Sequence, residues 1–229
     1  MSKLQLTNIT LFSYNCVNPI ESIKALLYSS KYIDFAEILL ISNEKPKELP
    51  SNIKFVETKL KTYKDSCKFT YQELPYLIDT QYCLSIHDDG FVINPNLWDN
   101  NFLNYDYIGA PWKKFVHPRN RVGNGGFTLK SNRFLQLTKN VRYLGTHDDT
   151  ELTNDYYDYF VGSGCKYAPV EVAMKFSLES KIPECEYNLD NCFGFHGRGN
   201  PETIAVHDGQ YQMFKDKIKL LDTIKIGEK

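Results

Sequence analysis

The chain has 229 residues, 42% hydrophobic and 24% charged, with a formal charge of −1. That fits one large globular domain or two small halves, with enough apolar material for a real core. It excludes a basic nucleic-acid footprint, so any bound phosphate has to be held locally. The cysteines Cys16, Cys67, Cys83, Cys165, Cys185 and Cys192 include no CxxC pair. This disfavours a zinc site and fits a reducing, cytoplasmic setting. Residues 1–10 are too polar for a signal peptide, and no apolar run approaches the ~20 residues that span a bilayer.

Residues 7–14 (TNITLFSY) read as a strand ending in Asn15-Cys16-Val17-Asn18-Pro19. Pro19 suits a first helical position with Asn18 as its cap. The helix then runs through Ile23, Leu26 and Leu27 to about Lys31. Residues 35–42 (FAEILLIS) form a continuous apolar run, the signature of a central parallel strand. A charged, proline-bearing loop at 45–50 leads to a short strand at 53–56. Residues 70–79 (TYQELPYLID) predict a short helix limited by Pro75, and residues 82–86 a further strand. Strand, helix, strand, strand, helix, strand is the order of a half-Rossmann nucleotide-binding unit. No GxGxxG follows the first strand and no GxxxxGK[ST] occurs. Dinucleotide oxidoreductases and P-loop kinases are therefore disfavoured.

Within YCLSIHDDGFVIN (82–94) an apolar strand stops at His87-Asp88-Asp89-Gly90. Adjacent carboxylates raise each other's pKa and favour a cation or a donor between them. Ligands of open α/β sheets sit beyond the carboxyl ends of the strands. On an extended chain His87 and Asp89 face the same way and can point together at one metal ion or phosphate. An imidazole with a carboxylate suits Mn²⁺ well and Mg²⁺ less well. The competing reading is a plain turn, since Asp-Gly often closes hairpins.

The second half has a different texture. Residues 94–98 turn into an amphipathic piece ending at Phe102-Leu103, followed by YDYIGAPW (105–112) and a basic loop at 113–121. Gly123, Asn124, Gly125 and Gly126 permit left-handed backbone or close ligand approach, or simply a hairpin turn. Residues 131–138 predict a helix capped by Ser131. Thr146-His147-Asp148-Asp149 precedes a Tyr-rich helical stretch at 153–161. Thr146 or Asp148 can cap it, and both carboxylates complement the helix dipole, so a structural and a catalytic role fit equally. Gly162-Ser163-Gly164 ends that helix. Residues 165–169 read as a strand, 170–176 as an amphipathic turn or helix, and FGFHG (193–197) frames His196 with glycines. A polar, Lys-rich tail follows, with a helix expected at 211–221.

Taken in order, HDDGFVINPNLWDNNFL, YDYIGAPW, VGNGGFTLKS, KYAPVEVAMKFSLE and FGFHG resemble a little-characterised family of small GT-A-type glycosyltransferases from bacteria, fungi and large viruses. The resemblance spans roughly residues 10–200. It implies a Rossmann-like α/β/α sandwich with a mostly parallel central sheet, a single domain over 1–229. A nucleotide-sugar half would occupy about 5–95, an acceptor half about 96–200 and a tail 201–229. It further implies a nucleotide-sugar donor (a UDP- or GDP-sugar), a glycan or other hydroxyl acceptor, and a divalent metal, Mn²⁺ or Mg²⁺.

By position, the family's DxD matches His87-Asp88-Asp89, with His87 in place of the first acid, where the family more often carries Gln. The resemblance thus makes Asp89 the main metal ligand, joined by His87 and by His196, which matches a late histidine that closes the metal site. Asp88, Asp89 and the strand edge Gly123-Asn124-Gly125-Gly126 would face the donor. A Cβ on that edge would collide with the sugar, and Asn124 would hydrogen-bond a hydroxyl. Asn15 is either a nucleoside contact or a helix cap, and Tyr107 or Trp112 would stack on a sugar face. Asp148-Asp149 matches the acidic pair, usually Glu-Asp, that supplies the base; Asn154-Asp155 is a rival alignment. Asp149 would then activate the acceptor hydroxyl, giving inversion. Two other readings stand beside this one: an inactive nucleotide-sugar or carbohydrate-binding module, and a nucleotidyltransferase.

Overall fold

The structure, a computed structural model, describes residues 2–114, 117–197 and 210–227. Residues 115–116 of the basic loop, and 201–209 and 228–229 of the expected tail, lie outside the described residues. The core is a six-stranded sheet of order β3-β2-β1-β4-β6-β5. Its strands are β1 (Leu4–Tyr14), β2 (Ile33–Ser42), β3 (Lys54–Glu57), β4 (Tyr82–Ile86), β5 (Tyr107–Ile108) and β6 (Phe127–Ser131). The first four run parallel. β6 lies antiparallel to both β4 and β5. This is the expected mixed α/β class with a mostly parallel sheet.

Alternation along the strands builds two cores. On one face Leu11, Leu40, Leu84 and Leu129 pack with Ile23 and Leu26 of α1 (Pro19–Ser30) and with Phe176 of a later helix. On the other, Phe12, Leu39, Ile41 and Cys83 pack against Phe69 of α2 (Tyr63–Gln72), Leu74 of α3 (Leu74–Leu77) and Leu135 of α4 (Asn132–Thr138). A third, aromatic group joins Tyr71, Tyr107, Phe134, Leu152 and Phe160 under the second half. All six cysteines are free thiols. Among the described residues no helix is long and apolar enough to cross a membrane.

Several local expectations need correction. Asn18 precedes α1 but makes no side-chain cap. Instead Asn15 Oδ1 accepts from the Val17 and Asn18 amides at 2.9 and 2.8 Å, an Asx turn that ends β1. The helix expected at 70–79 is two helices. α2 begins earlier because Thr62 and Asp65 form a reciprocal capping box. Pro75 lies in the first turn of α3, where its missing N–H costs nothing. Residues 165–169 form no strand: Tyr167 makes a single bridge to Tyr107, between the left-handed Gly164 (φ +83°) and Pro169. The helix at 153–161 is broken, with a π-turn at Glu151–Asp155 before α6 (Tyr157–Gly162). The remaining elements are α5 (Asp148–Thr150), α7 (Val170–Phe176), a small parallel pair β7 (Ser177–Leu178) and β8 (Gly194–Phe195), and α8 (Gln210–Ile218).

Candidate metal centre and acidic pair

β1 and β4 run parallel in register, Phe12 beside Ser85, so their carboxyl ends open side by side. Beyond β4 the chain reverses at once. His87 N donates to Gly90 O at 2.9 Å and Gly90 N to His87 O at 3.2 Å. The turn reading of this stretch is therefore right, and the turn itself gathers the polar side chains. His87 and Asp89 meet across a tight reversal, not by the alternation of an extended strand, which corrects the geometry expected from sequence. Asp89 Oδ1 lies 3.9 Å from His87 Nδ1 and 3.6 Å from His196 Nε2. These three residues each offer one ligand atom, all within 4.8 Å of one another.

His196 reaches this point because β8 ends beside β7 and Gly197 N donates to Asp89 O at 2.8 Å. Gly90 is required by the close approach. A Cβ there would lie 2.9 Å from both His196 Cδ2 and the Phe195 carbonyl.

The electrostatics of the two rings differ. Burial first, then the neighbouring His196 charge, push the His87 imidazole down to about 4. Its Nε2 is buried with no hydrogen-bond partner among the described residues. Burial also pulls on His196, but the carboxylates of Asp89 and Glu179 outweigh it and hold that imidazole well above its usual range. A neutral, orphaned imidazole, a carboxylate and a second imidazole make a donor set for a divalent transition ion, and fit Mn²⁺ better than Mg²⁺. His87, Asp88 and Asp89 form one end of a cleft of about 310 Å³ whose other walls include Tyr14, Asn15, Val17, Lys61 and Tyr63. Larger clefts of about 520 and 630 Å³ lie elsewhere, around Tyr28 and Leu97 and around Tyr76 and Arg142.

The Gly-Asn-Gly-Gly segment links this centre to the acidic pair. Asn124 takes the left-handed backbone, φ 69°. Its Oδ1 accepts from the Gly126 and Phe127 amides at 2.8 and 3.2 Å. The side chain is buried, with its Nδ2 beside His196, so the expected sugar hydrogen bond from Asn124 is corrected: its acceptor is spent on the turn. Gly123 and Gly126 make room for the protein's own rings, whereas a Cβ on Gly125 would come no closer than 3.5 Å, to Asp149. A Cβ on Gly123 would strike the Trp112 ring at 2.1 Å, and one on Gly126 would strike His196 Nε2 at 2.1 Å.

Tyr107 is also corrected. It is fully buried, its ring against Phe134 and Tyr167, and its hydroxyl donates to Asn124 O at 3.2 Å. No face is left for stacking. Trp112 is half-buried, and its Nε1 donates to Glu179 Oε2 at 3.0 Å.

The two acids of the pair have separate environments. Asp148 is 4% exposed and accepts from Thr70 Oγ1 at 3.0 Å. Burial, then the charge of Asp149, hold its carboxyl above the usual carboxylate range. Asp149 is half-buried; its Oδ2 accepts from Gly125 N at 3.0 Å and its Oδ1 from Thr150 N at 2.7 Å. Neither Thr146 nor Asp148 caps the helix. The Thr146 amide instead donates to Glu151, a fully buried carboxylate that also accepts from Tyr71 and Leu144. Asp155 is exposed beside Asn154. Sequence reasoning missed Glu151 and Glu179. It also missed the Thr62/Asp65 box, which was legible as T-x-x-D.

The fold is similar to that of solved GT-A glycosyltransferases. The galactosyltransferase LgtC, solved with donor and acceptor sugar analogues, matches over 95% of this chain and 97% of its own, at 14% identity and a TM-score of 0.50. The mannosyltransferase PcManGT from Pyrobaculum calidifontis, solved with GDP-Man and Mn²⁺, matches at 11% identity and a TM-score of 0.48, over 72% of this chain and 55% of that one. GlyE of Streptococcus pneumoniae TIGR4 matches at 11% identity and a TM-score of 0.45, over 98% and 61%. No curated protein matches in sequence. Residues 53–196 match the family model DUF5672, described as a protein of unknown function, and the chain belongs to that family.

Proposed function

We propose that the protein is a glycosyltransferase that moves a sugar from a nucleotide-sugar, a UDP- or GDP-sugar, to a hydroxyl of a glycan or other acceptor, with a divalent metal and with inversion. The observation that carries this reading is the convergence of His87, Asp89 and His196, with His87 and Asp89 just beyond the carboxyl end of β4, where they line a cleft. That is where ligands of open α/β sheets bind. The whole-chain likeness in fold to a galactosyltransferase is consistent with it.

In this reading His87, Asp89 and His196 hold the metal, and Asp88 and the Asn15 turn line the donor cleft within a nucleotide-sugar half at about 5–95. The bound ion would supply positive charge opposite the departing diphosphate. The acceptor lies in the half at about 96–200. Asp149 accepts the proton of the attacking hydroxyl, with Gly125 N and Thr150 N fixing its carboxylate. The bond from the sugar carbon to the diphosphate oxygen breaks as the bond to the acceptor oxygen forms, and the electron pair leaves with the nucleoside diphosphate. Asp148, buried beneath, holds the start of the helix in place. Trp112 offers a partly open indole edge near the same turn.

Incubation with a set of nucleotide-sugars and Mn²⁺ tests this. A transferase releases nucleoside diphosphate slowly by hydrolysis and faster with acceptor. Release of pyrophosphate from a nucleoside triphosphate would mark a nucleotidyltransferase, and binding without release an inactive module; either would overturn the proposal.

A further inference from the structure

Glu179 stands next to His196 because of the small β7–β8 pair. Ser177 pairs with Gly194 and Leu178 with Phe195, so the following residue on each strand, Glu179 and His196, comes side by side, and His196 N donates to Leu178 O at 3.1 Å. Glu179 Oε1 then lies 3.0 Å from His196 Nδ1, while Oε2 accepts from Trp112 Nε1 at 3.0 Å. Both rings are seated on glycines of one turn, Trp112 on Gly123 and His196 on Gly126. One carboxylate thus spans the two rings.

His196 Nδ1 has a second neighbour, the Asn124 carboxamide nitrogen, at 3.0 Å. The amide orientation is fixed by the two backbone donors on Asn124 Oδ1. Nδ1 therefore faces an ionic acceptor and a neutral donor at once, and its proton decides between them. A charge-assisted bond to a carboxylate is roughly twice as strong as a neutral one. With Nδ1–H committed to Glu179, Nε2 is the ring nitrogen that remains beside Asp89 for a cation to take.

We infer that Glu179 is a positioning residue that keeps the proton on His196 Nδ1, so that Nε2 is presented with Asp89 to a divalent cation, and that Trp112 holds Glu179 in that rotamer. This rests on the metal-dependent reading above and names a residue that reading does not require. A histidine ligand whose far nitrogen donates to a carboxylate is better oriented and more basic, and losing such a partner typically costs 10–100-fold in metal affinity. Gln at this position can accept from only one of the two ring N–H groups, because its other terminal atom is itself a donor.

The experiment is a titration of Mn²⁺ alone into the full chain, read by calorimetry, for the native protein, Glu179→Gln and Trp112→Phe. A nitrogen-15 imidazole spectrum of the native protein loaded with diamagnetic Zn²⁺ accompanies it. We expect one site, a Kd raised ~10–100-fold in Glu179→Gln, a smaller rise in Trp112→Phe, and a spectrum with the proton on Nδ1. Native Mn²⁺ affinity in Glu179→Gln overturns the inference and leaves the transferase reading intact. A Zn²⁺-loaded spectrum with Nδ1 bare does the same even if neither variant folds. A native protein that binds no Mn²⁺ overturns both.

Discussion

Two groups of carboxylates flank the Asn124 turn, and they are built in opposite ways. On one side Glu151 accepts from the Tyr71 hydroxyl, the Leu144 amide and both donors of Thr146, at 2.7–3.0 Å. The Leu144 and Thr146 bonds tie a loop to the helical turn that carries Glu151, the Tyr71 bond ties that turn to α2, and the side chain is sealed from solvent. On the other side, Asp89 Oδ1 stands 3.6 and 3.9 Å from two imidazoles, and the Nε2 of His87 is buried with no partner among the described residues. A saturated buried carboxylate is architecture; a carboxylate grouped with two imidazoles, one of them with an unsatisfied ring nitrogen, fits the metal site proposed above. Asp149 belongs to neither type, because two backbone amides orient it while it stays partly open.

If that distinction is sound, substitutions on the two sides should fail differently. Asp89→Asn should abolish transfer to below detection while the thermal midpoint of the protein without added ligand stays close to native. Retained turnover would remove the metal role from Asp89. Asp149→Asn should lower turnover by ~10²–10⁴, the usual worth of a general base, with the Mn²⁺ affinity unchanged in a direct titration. Glu151→Ala should do the reverse in kind. It strands the buried Tyr71 hydroxyl at about 1–3 kcal/mol, releases the partly buried Leu144 and Thr146 donors, and should lower the midpoint of denaturant unfolding. Normal stability in that variant would erase the contrast. Asp155→Asn, at an exposed carboxylate, should change turnover by less than about twofold, within the small range expected of surface substitutions. A large loss there would move the base to the rival acid.

The parallel half of the sheet was legible because its signals are local. FAEILLIS and YCLSI are apolar runs closed by polar residues, and Pro19 marks a helix start. The ring of residues around His196 was only half legible. HDDG and FGFHG stand out as polar residues framed by glycine, yet what those glycines serve is not written in the motif. Gly123 and Gly126 make room for Trp112 and His196, residues 11 positions before and 70 after them respectively. Glu179 could not be found at all: it is one acid in an ordinary SLES segment, and only the register of a two-stranded sheet sets it beside His196. Tyr107 misled for a related reason. An aromatic residue in a glycine-rich neighbourhood suggests a sugar platform, but burial is decided by the third core, which the local pattern does not contain.

The most direct test of the central claim is a thermal-shift panel of nucleotide-sugars, each with and without Mn²⁺, because a ligand that binds only the native state raises its stability by mass action. The account predicts that at least one UDP- or GDP-sugar raises the midpoint, that Mn²⁺ enlarges the rise, and that Asp89→Asn loses the Mn²⁺-dependent part. A panel in which no nucleotide-sugar shifts the midpoint, with the metal or without it, would contradict the account.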